Sequence, residues 1–339
     1  MLVRFMAIAI SVLTLVACSS NQPTNPTDNE DAVPVSEDKT GAESHSPLTG
    51  EVQDEGNGRS IAVMINNHPK ARPQSGLSQA DIIYEILAEG NITRFLAIFQ
   101  SERPENVGPV RSARDYYISL AKGYDSLFIA HGYSPDAKKI LQGGAVDNLN
   151  GISYDGTLFK RASSRKAPHN SYITFENIKK GADDLGYDLS APPKNLAFSD
   201  DPAKGKAAGS VMVSYQDPSF DSTFIYNRDE GKYERYSAGD QTVDDGTKDP
   251  VLIENLLIIQ ARHEVVDTSG RRMIDFESGG KAYLIQDGIL RDVNWKNDGG
   301  RILPYQDGKP IPFHPGHTWI SVIPDSPGLS EAVSYEEGR

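Results

Sequence analysis

Cysteine is almost absent. The 339 residues contain one, Cys18, which excludes an intrachain disulfide framework and any cysteine-rich zinc site. An excess of positive charge is missing too. Against 34 lysines and arginines stand 47 aspartates and glutamates, a net charge of -13, so sequence-independent attraction to nucleic acid is not expected. The N-terminal apolar run, residues 5–17, is broken only by Ser11 and Thr14. It is too short for a membrane-spanning helix, which takes roughly 20 residues. There is no G-x-S-x-G elbow, no HExxH or HxxxH, no P-loop, no dinucleotide fingerprint and no EF-hand loop, so no cofactor and no metal is expected. The Ser119/Lys122 and Ser163/Lys166 pairs match S-x-x-K, a pattern that chance often produces, and the Lys-Thr-Gly at Lys39 has no ordered surroundings to act in.

What is present begins with an address. Arg4 supplies a charged start, the apolar run follows, and Leu15-Val16-Ala17-Cys18 leads into Ser19 and Ser20. This resembles a bacterial lipobox. The resemblance implies cleavage before Cys18 and a diacylglyceryl group on its sulfur, with the protein held at the outer face of the cytoplasmic membrane. Two or more acyl chains, at ~0.8 kcal/mol per buried methylene, make a stable anchor. A lipidated Cys18 leaves no free thiol, and cysteine-nucleophile mechanisms are then excluded.

The length suits about two domains. Residues 18–57 read as the lipidated cysteine followed by a disordered acidic tether. Positions 19–57 carry nine acids against Lys39 and no aromatic residue, which is too little apolar surface to fold. The rest divides by charge. Residues 58–170 hold 14 bases and 10 acids, whereas residues 171–339 hold 18 bases and 28 acids. The expected class is α+β. A mixed α/β domain over 58–186 contains a hairpin-bearing sheet. A linker covers 187–209, a β-rich domain 210–325 and a tail 326–339. In the first domain, residues 61–65 read as a buried strand. Residues 81–89 and 92–100 read as a hairpin around Gly90-Asn91. With that two-residue turn Leu87 lies opposite Arg94, and Glu85 and Glu89 are its diagonal neighbours in a structural salt-bridge ladder. Pro109 is expected to open a helix closed by Gly123, Ser134 to cap a second ending near Gly143, and residues 175–185 to form a third. Seven short β-type runs separated by Gly, Asp and Asn fill the second domain.

The densest polar constellation lies between His68 and Asn170. If Pro109 opens a helix, Arg111 and Arg114 share one face of its first turn. There they oppose the helix dipole and sit beside free amides, an arrangement suited to a carboxylate or phosphate. The alternative pairs them internally with Glu105 or Asp115. Arg72, in a loop, is a further anion-binding candidate. His68, His131 and His169 are candidates for a base or anion contact, and Asn170 follows His169. His314 and His317 read as structural.

At these positions the chain resembles a known family. The segments 71–77, 80–85, 93–97, 107–114 and 167–170, with Trp295 and 315–319 further on, are similar to the YerB-like bacterial lipoproteins. The resemblance spans residues 58–325 and implies a lipid-anchored, two-domain bacterial protein, with no catalytic residue to carry over. Two functional readings follow. One is a binding module that holds an anionic cell-envelope polymer or a membrane-protein partner through Arg72, Arg111, Arg114, His131, His169 and Asn170. The other is a cell-wall hydrolase using Glu85 or a histidine as general base in the same cleft.

Overall fold

The apolar runs read as strands are nearly unbroken because the sheet they form is covered on both faces. The structure, a computed structural model, describes residues 44–53 and 58–338. The signal segment 1–17, Cys18, tether residues 19–43 and 54–57, and Arg339 lie outside the described residues. The principal elements of the first half are β1 (Ile61–Asn66), β2 (Ile82–Glu89), β3 (Ile92–Phe99), α1 (Asp115–Gly123), β4 (Leu127–Ala130), α2 (Pro135–Gln142), β5 (Asn148–Asn150) and α3 (Phe175–Leu185). Those of the second half are β6 (Ser210–Val213), β7 (Ser222–Asn227), β8 (Lys232–Ser237), β9 (Asn255–Ala261), β10 (Gly280–Gln286), β11 (Ile289–Asp298), β12 (Arg301–Gln306), β13 (Thr318–Pro324) and β14 (Val333–Glu336).

A 12-stranded sheet runs through both halves in the order β12-β11-β10-β9-β13-β2-β3-β1-β4-β5 over its main strands. β13, from the second half, is inserted between β9 and β2 and runs parallel to both. The two sequence regions therefore share one sheet. Side chains alternate across it. Val63, Ile83, Phe95, Ile258 and Trp319 face a layer built from α3 and a smaller sheet, β8-β7-β6-β14. Met64, Tyr84, Leu96, Leu257 and Ile320 face α1 and α2. β1, β4 and β5 are mutually parallel, as are β2, β13 and β9. Because β3 is antiparallel to both β1 and β2, all six point the same way, and their carboxyl ends form one rim. Open sheets with parallel strands bind their ligands at that end.

Several expected boundaries move. The helix assigned to Pro109 begins at Asp115. Gly108 has φ +151°, and a Cβ there would lie 2.8 Å from the Ser171 carbonyl. The chain leaves Pro109 extended. Val110 bridges Ile65, Ala113 bridges Tyr133, and the Arg111 N–H donates to the Met64 carbonyl at 2.8 Å. Val110 and Ala113 are buried on opposite faces of the sheet, so their spacing of three imitates a helical stripe without being one. The end of the tether is folded, because Pro47 and Leu48 supply apolar surface that the acidic stretch before them lacks. Leu48 is fully buried. Ser46 Oγ donates to Gln100 Oε1 at 3.0 Å, the Leu196 N–H to the Pro47 carbonyl at 2.9 Å and the Gly316 N–H to the Thr49 carbonyl at 2.8 Å.

The 187–209 segment is packed rather than free. The Arg59 N–H donates to the Leu189 carbonyl at 2.8 Å, Phe198 bridges Phe313, and Ala208 is buried. The tail is structural as well. Leu329, Ala332 and Val333 are buried, and β14 pairs with β6. The β2–β3 hairpin forms around Gly90-Asn91 with an irregularity. Leu87 pairs with Thr93 but Glu89 pairs with Ile92, so Ala88 is an extra residue. Ile86, not Leu87, lies opposite Arg94, and Glu85 and Glu89 emerge on opposite faces of the sheet.

Candidate functional site

The rim at the ends of β1, β4 and β5 gathers part of the constellation. β1 runs out through Asn66-Asn67-His68. Asn66 Oδ1 accepts the His68 N–H at 3.0 Å, which turns its Nδ2 toward His169 Nδ1 at 2.9 Å. His68 Nδ1 accepts the Lys70 N–H at 3.1 Å and caps the short 3-10 turn Pro69–Ala71. The two imidazoles stack with centroids 4.5 Å apart. A ring nitrogen that accepts a hydrogen bond carries no proton, so both neutral rings hold theirs on Nε2. Neither Nε2 has a partner among the described residues. Burial, followed by the charges of Lys70, Arg72 and Arg111, lowers the His68 pKa. Burial, His68, Arg111, Lys70 and Arg165 lower that of His169.

Arg111 stands beside them, its backbone held between Met64 and the His131 N–H. Its guanidinium has no hydrogen bond or ion pair among the described residues. Burial, with Arg94 as a neighbouring cation, lowers its pKa to about 10. Arg72 donates from Nε to Asn67 Oδ1 at 3.1 Å and from one terminal nitrogen to the Asn67 carbonyl at 2.9 Å. Its guanidinium lies 5.7 Å from the Phe220 ring centroid. Burial, then Arg235, brings its pKa to about 10. The result is a patch of donors — two guanidinium groups and two Nε2–H groups — without a carboxylate bonded to any of them among the described residues.

Other candidates are turned elsewhere. In an extended segment Arg111 and Arg114 project oppositely, and Arg114, at the N-cap of α1, forms an ion pair with Glu89. Glu89 also takes Arg94 at 2.6 Å, so one rung of the expected ladder exists. Glu85 is on the other face. His131 is structural. An arginine only donates, so the Arg161 contact at 2.9 Å occupies the lone pair of His131 Nε2. Nδ1–H then donates to Ser171 Oγ at 2.7 Å. Burial, followed by Arg161, lowers the His131 pKa. Asn170 clamps its own loop, accepting from Arg161 at 3.1 Å and donating to the Ala162 and Arg165 carbonyls at 3.4 and 3.3 Å. Glu85 is fully buried and receives hydrogen bonds from Asn67, Thr93, Ser222 and Arg235.

Sequence reasoning missed Phe220, which arrives from the second half to lie under Arg72. It also missed Arg165, which donates to the Ala71 and Pro73 carbonyls at 2.7 and 2.6 Å and so holds the Arg72 loop. No local pattern marks either one. The Asn66-x-His68 cap is the one local signal that points to the ring orientation.

An interleaved pair of sequence regions sharing one mixed sheet, with a donor-rich rim, defines the class of protein. More particularly, the chain belongs to the family described as "Protein of unknown function (DUF3048)". The model of its N-terminal domain matches residues 48–188, starting at the buried Leu48, and that of its C-terminal domain matches 211–320. The chain is 48% identical over 314 residues to "Putative lipoprotein YerB" of Bacillus subtilis (strain 168), covering 91% of this chain and 93% of that one. It is also similar to the crystal structure of the YerB protein from Bacillus subtilis. The TM-score is 0.81 at 46% identity, over 87% of this chain and 100% of that chain. No helix among the described residues is long and apolar enough to cross a membrane.

Proposed function

We propose that this protein is an extracytoplasmic lipoprotein, anchored through lipid on Cys18 at the outer face of the cytoplasmic membrane. Its rim binds an anionic group, carried by a cell-envelope polymer or a partner protein, through Arg111, Arg72, His68 and His169. The lipobox-like start and the name of the Bacillus relative support the first part. The observation that carries the second is the Arg111 guanidinium, half-buried beside other cations with no acid partner among the described residues. A carboxylate or phosphate would supply the missing acceptor through charge-assisted hydrogen bonds, worth about 1.5–3 kcal/mol each. The neutral Nε2–H groups of His68 and His169 add donors without needing protonation. The hydrolytic alternative finds its nominated bases engaged. Glu85 is buried in an ion pair, and the lone pairs of His68, His131 and His169 are all occupied.

The test compares two arginines. Arg111→Ala is expected to leave the melting temperature unchanged or slightly raised, because it removes an uncompensated charge. It should also abolish the response of the His68 and His169 ring nitrogens to added inorganic phosphate in nitrogen-detected NMR. Arg114→Ala leaves Glu89 short of one partner and should cost about 1–3 kcal/mol of stability. If Arg111→Ala destabilises as much as Arg114→Ala, Arg111 belongs to the scaffold and the binding reading fails.

A further inference from the structure

Behind the rim lies a buried polar network that joins the two sequence regions. Glu85 of β2 is fully buried, as are Asn67, Thr93 and Ser222, and Arg235 is nearly so. Oε2 of Glu85 accepts from Ser222 Oγ at 2.8 Å and from Arg235 at 3.2 Å, both of the second region. Oε1 accepts from Asn67 Nδ2 at 3.1 Å and Thr93 Oγ1 at 3.0 Å, and Arg235 reaches it at 3.3 Å. Asn67 directly follows β1. Its Oδ1 accepts from Arg72 Nε at 3.1 Å and Gln74 Nε2 at 3.2 Å.

The direction of this chain of hydrogen bonds is set from inside. A side-chain amide has a donor end and an acceptor end, and its partners decide which way round it lies. A carboxylate only accepts, so Glu85 claims the amide nitrogen of Asn67. That turns Oδ1 outward, to where Arg72 Nε–H and the Gln74 amide nitrogen donate. A terminal nitrogen of Arg72 also donates to the Asn67 carbonyl at 2.9 Å, so the guanidinium rests on two acceptors of one residue. A side chain seated before its ligand arrives loses less freedom on binding.

We infer that Glu85 is a positioning residue for the rim. It acts through Asn67 to fix the Arg72 guanidinium, and Arg235 and Ser222 hold Glu85 in turn from the second region. The consequence for anion affinity rests on the reading of the rim given above, whereas the seating of Arg72 does not. Glu85→Gln exposes the relay. Arg235 and Ser222 are donors and would take the new amide oxygen, leaving its NH2 to face Asn67. Donor then meets donor, the Asn67 amide reverses, and its own NH2 confronts Arg72 Nε–H.

The experiment follows Arg72 Nε–H by nitrogen-15 NMR on the purified full chain, assigned with Arg72→Lys. It then titrates inorganic phosphate while the His68 and His169 ring nitrogens are observed. Glu85→Gln should speed solvent exchange of Arg72 Nε–H at least about tenfold. It should weaken phosphate about tenfold, the effect of one lost hydrogen bond to an anion. Glu85→Gln combined with Asn67→Asp reverses the pair at unchanged net charge, because an amide then donates to a carboxylate that accepts from Arg72. The double variant should restore both readouts, which a mere need for negative charge beside Arg235 would not allow. Asn67→Ala leaves the Glu85–Arg235 ion pair whole and should lose both readouts, so the test stands even if Glu85→Gln does not fold. The inference is overturned if Glu85→Gln or Asn67→Ala keeps the parent's Arg72 exchange rate, or if the double variant behaves like Glu85→Gln alone. A parent that gives no phosphate response would end the anion reading of the rim, while the Arg72 signal would still decide the role of Glu85.

Discussion

His263, just beyond β9 with Nδ1 2.9 Å from the Ala261 carbonyl, bears on stability. Burial holds its pKa at about 4, against 6.5 for a free imidazole. Below pH 6.5 the unfolded chain takes up a proton that the folded chain refuses. The stability tied to this residue is therefore complete above pH 6.5 and is lost as the pH falls toward 4. At 1.36 kcal/mol per unit the loss amounts to about 3 kcal/mol. Asp81 acts with the opposite sign. Burial raises its carboxyl to about 6 from 3.8, outweighing the Gln100 and Ser101 N–H groups it accepts from, which favour the charged form. Its contribution is complete below pH 3.8 and lost as the pH rises through 6. The two offset one another between pH 4 and 6, so the wild-type profile hides both. His263→Gln should reveal them. Urea midpoints at pH 7 and pH 4.5 are expected to differ less favourably for the parent than for the variant, and equal pH dependence in the two proteins would refute this assignment.

At the scale of elements, the Ala88 bulge decides which face each glutamate serves. It sends Glu85 to Arg235, which lies 4.5 Å from the Trp319 ring centroid, and Glu89 to Arg94 and Arg114. Deleting Ala88 would restore regular pairing and keep Glu89 on the Arg94 face, since Glu89 already pairs with Ile92. Glu89→Gln instead would leave two buried arginines, Arg94 and Arg114, without an acid, a loss of about 3–5 kcal/mol that a thermal melt would read directly. The hairpin itself was legible in the sequence, because Gly90-Asn91 between two apolar runs has few other meanings. The bulge was not, since Ile86-Leu87-Ala88 is apolar throughout and no glycine marks the extra residue. The helices with conventional signals at both ends, Ser134 before α2 and Gly186 after α3, formed as read. The one inferred from Pro109 did not, because burial on two faces of an extended segment copied a helical spacing. Of the candidate site, residue types and segments were legible. The stacking of His68 on His169, 101 positions apart, and the capture of His131 by Arg161 depend on loop packing that local sequence does not encode.

Across the whole molecule, the halves depend on each other more than composition suggests. The Pro, Lys, Ala and Gly content of 187–209 reads as a spacer, yet its backbone is pinned at Leu189 and Leu196, and limited proteolysis should spare it. β2 has β13 on one side, and Trp319 packs on Phe95 with centroids 5.1 Å apart. A fragment covering residues 58–188 alone would expose an unpaired strand edge and a bare apolar face. It is expected to show no cooperative melt by circular dichroism, and a sharp transition from that fragment would mean that the first region folds unaided.

The clip formed by residues 44–53 also governs how the protein bears mechanical load. It grips Gln100, Leu196 and Gly316, beside the amino ends of the strands, whereas Asn66 and Pro324 lie at the carboxyl ends. Along β1 the two ends are about 17 Å apart at 3.3 Å per residue. Tension entering through the chain at residue 44 therefore falls on a few hydrogen bonds and the seat of Leu48 before it reaches the ladder. The clip would peel while the strands stay paired, so the rim keeps its shape when the chain is pulled from its N-terminal side.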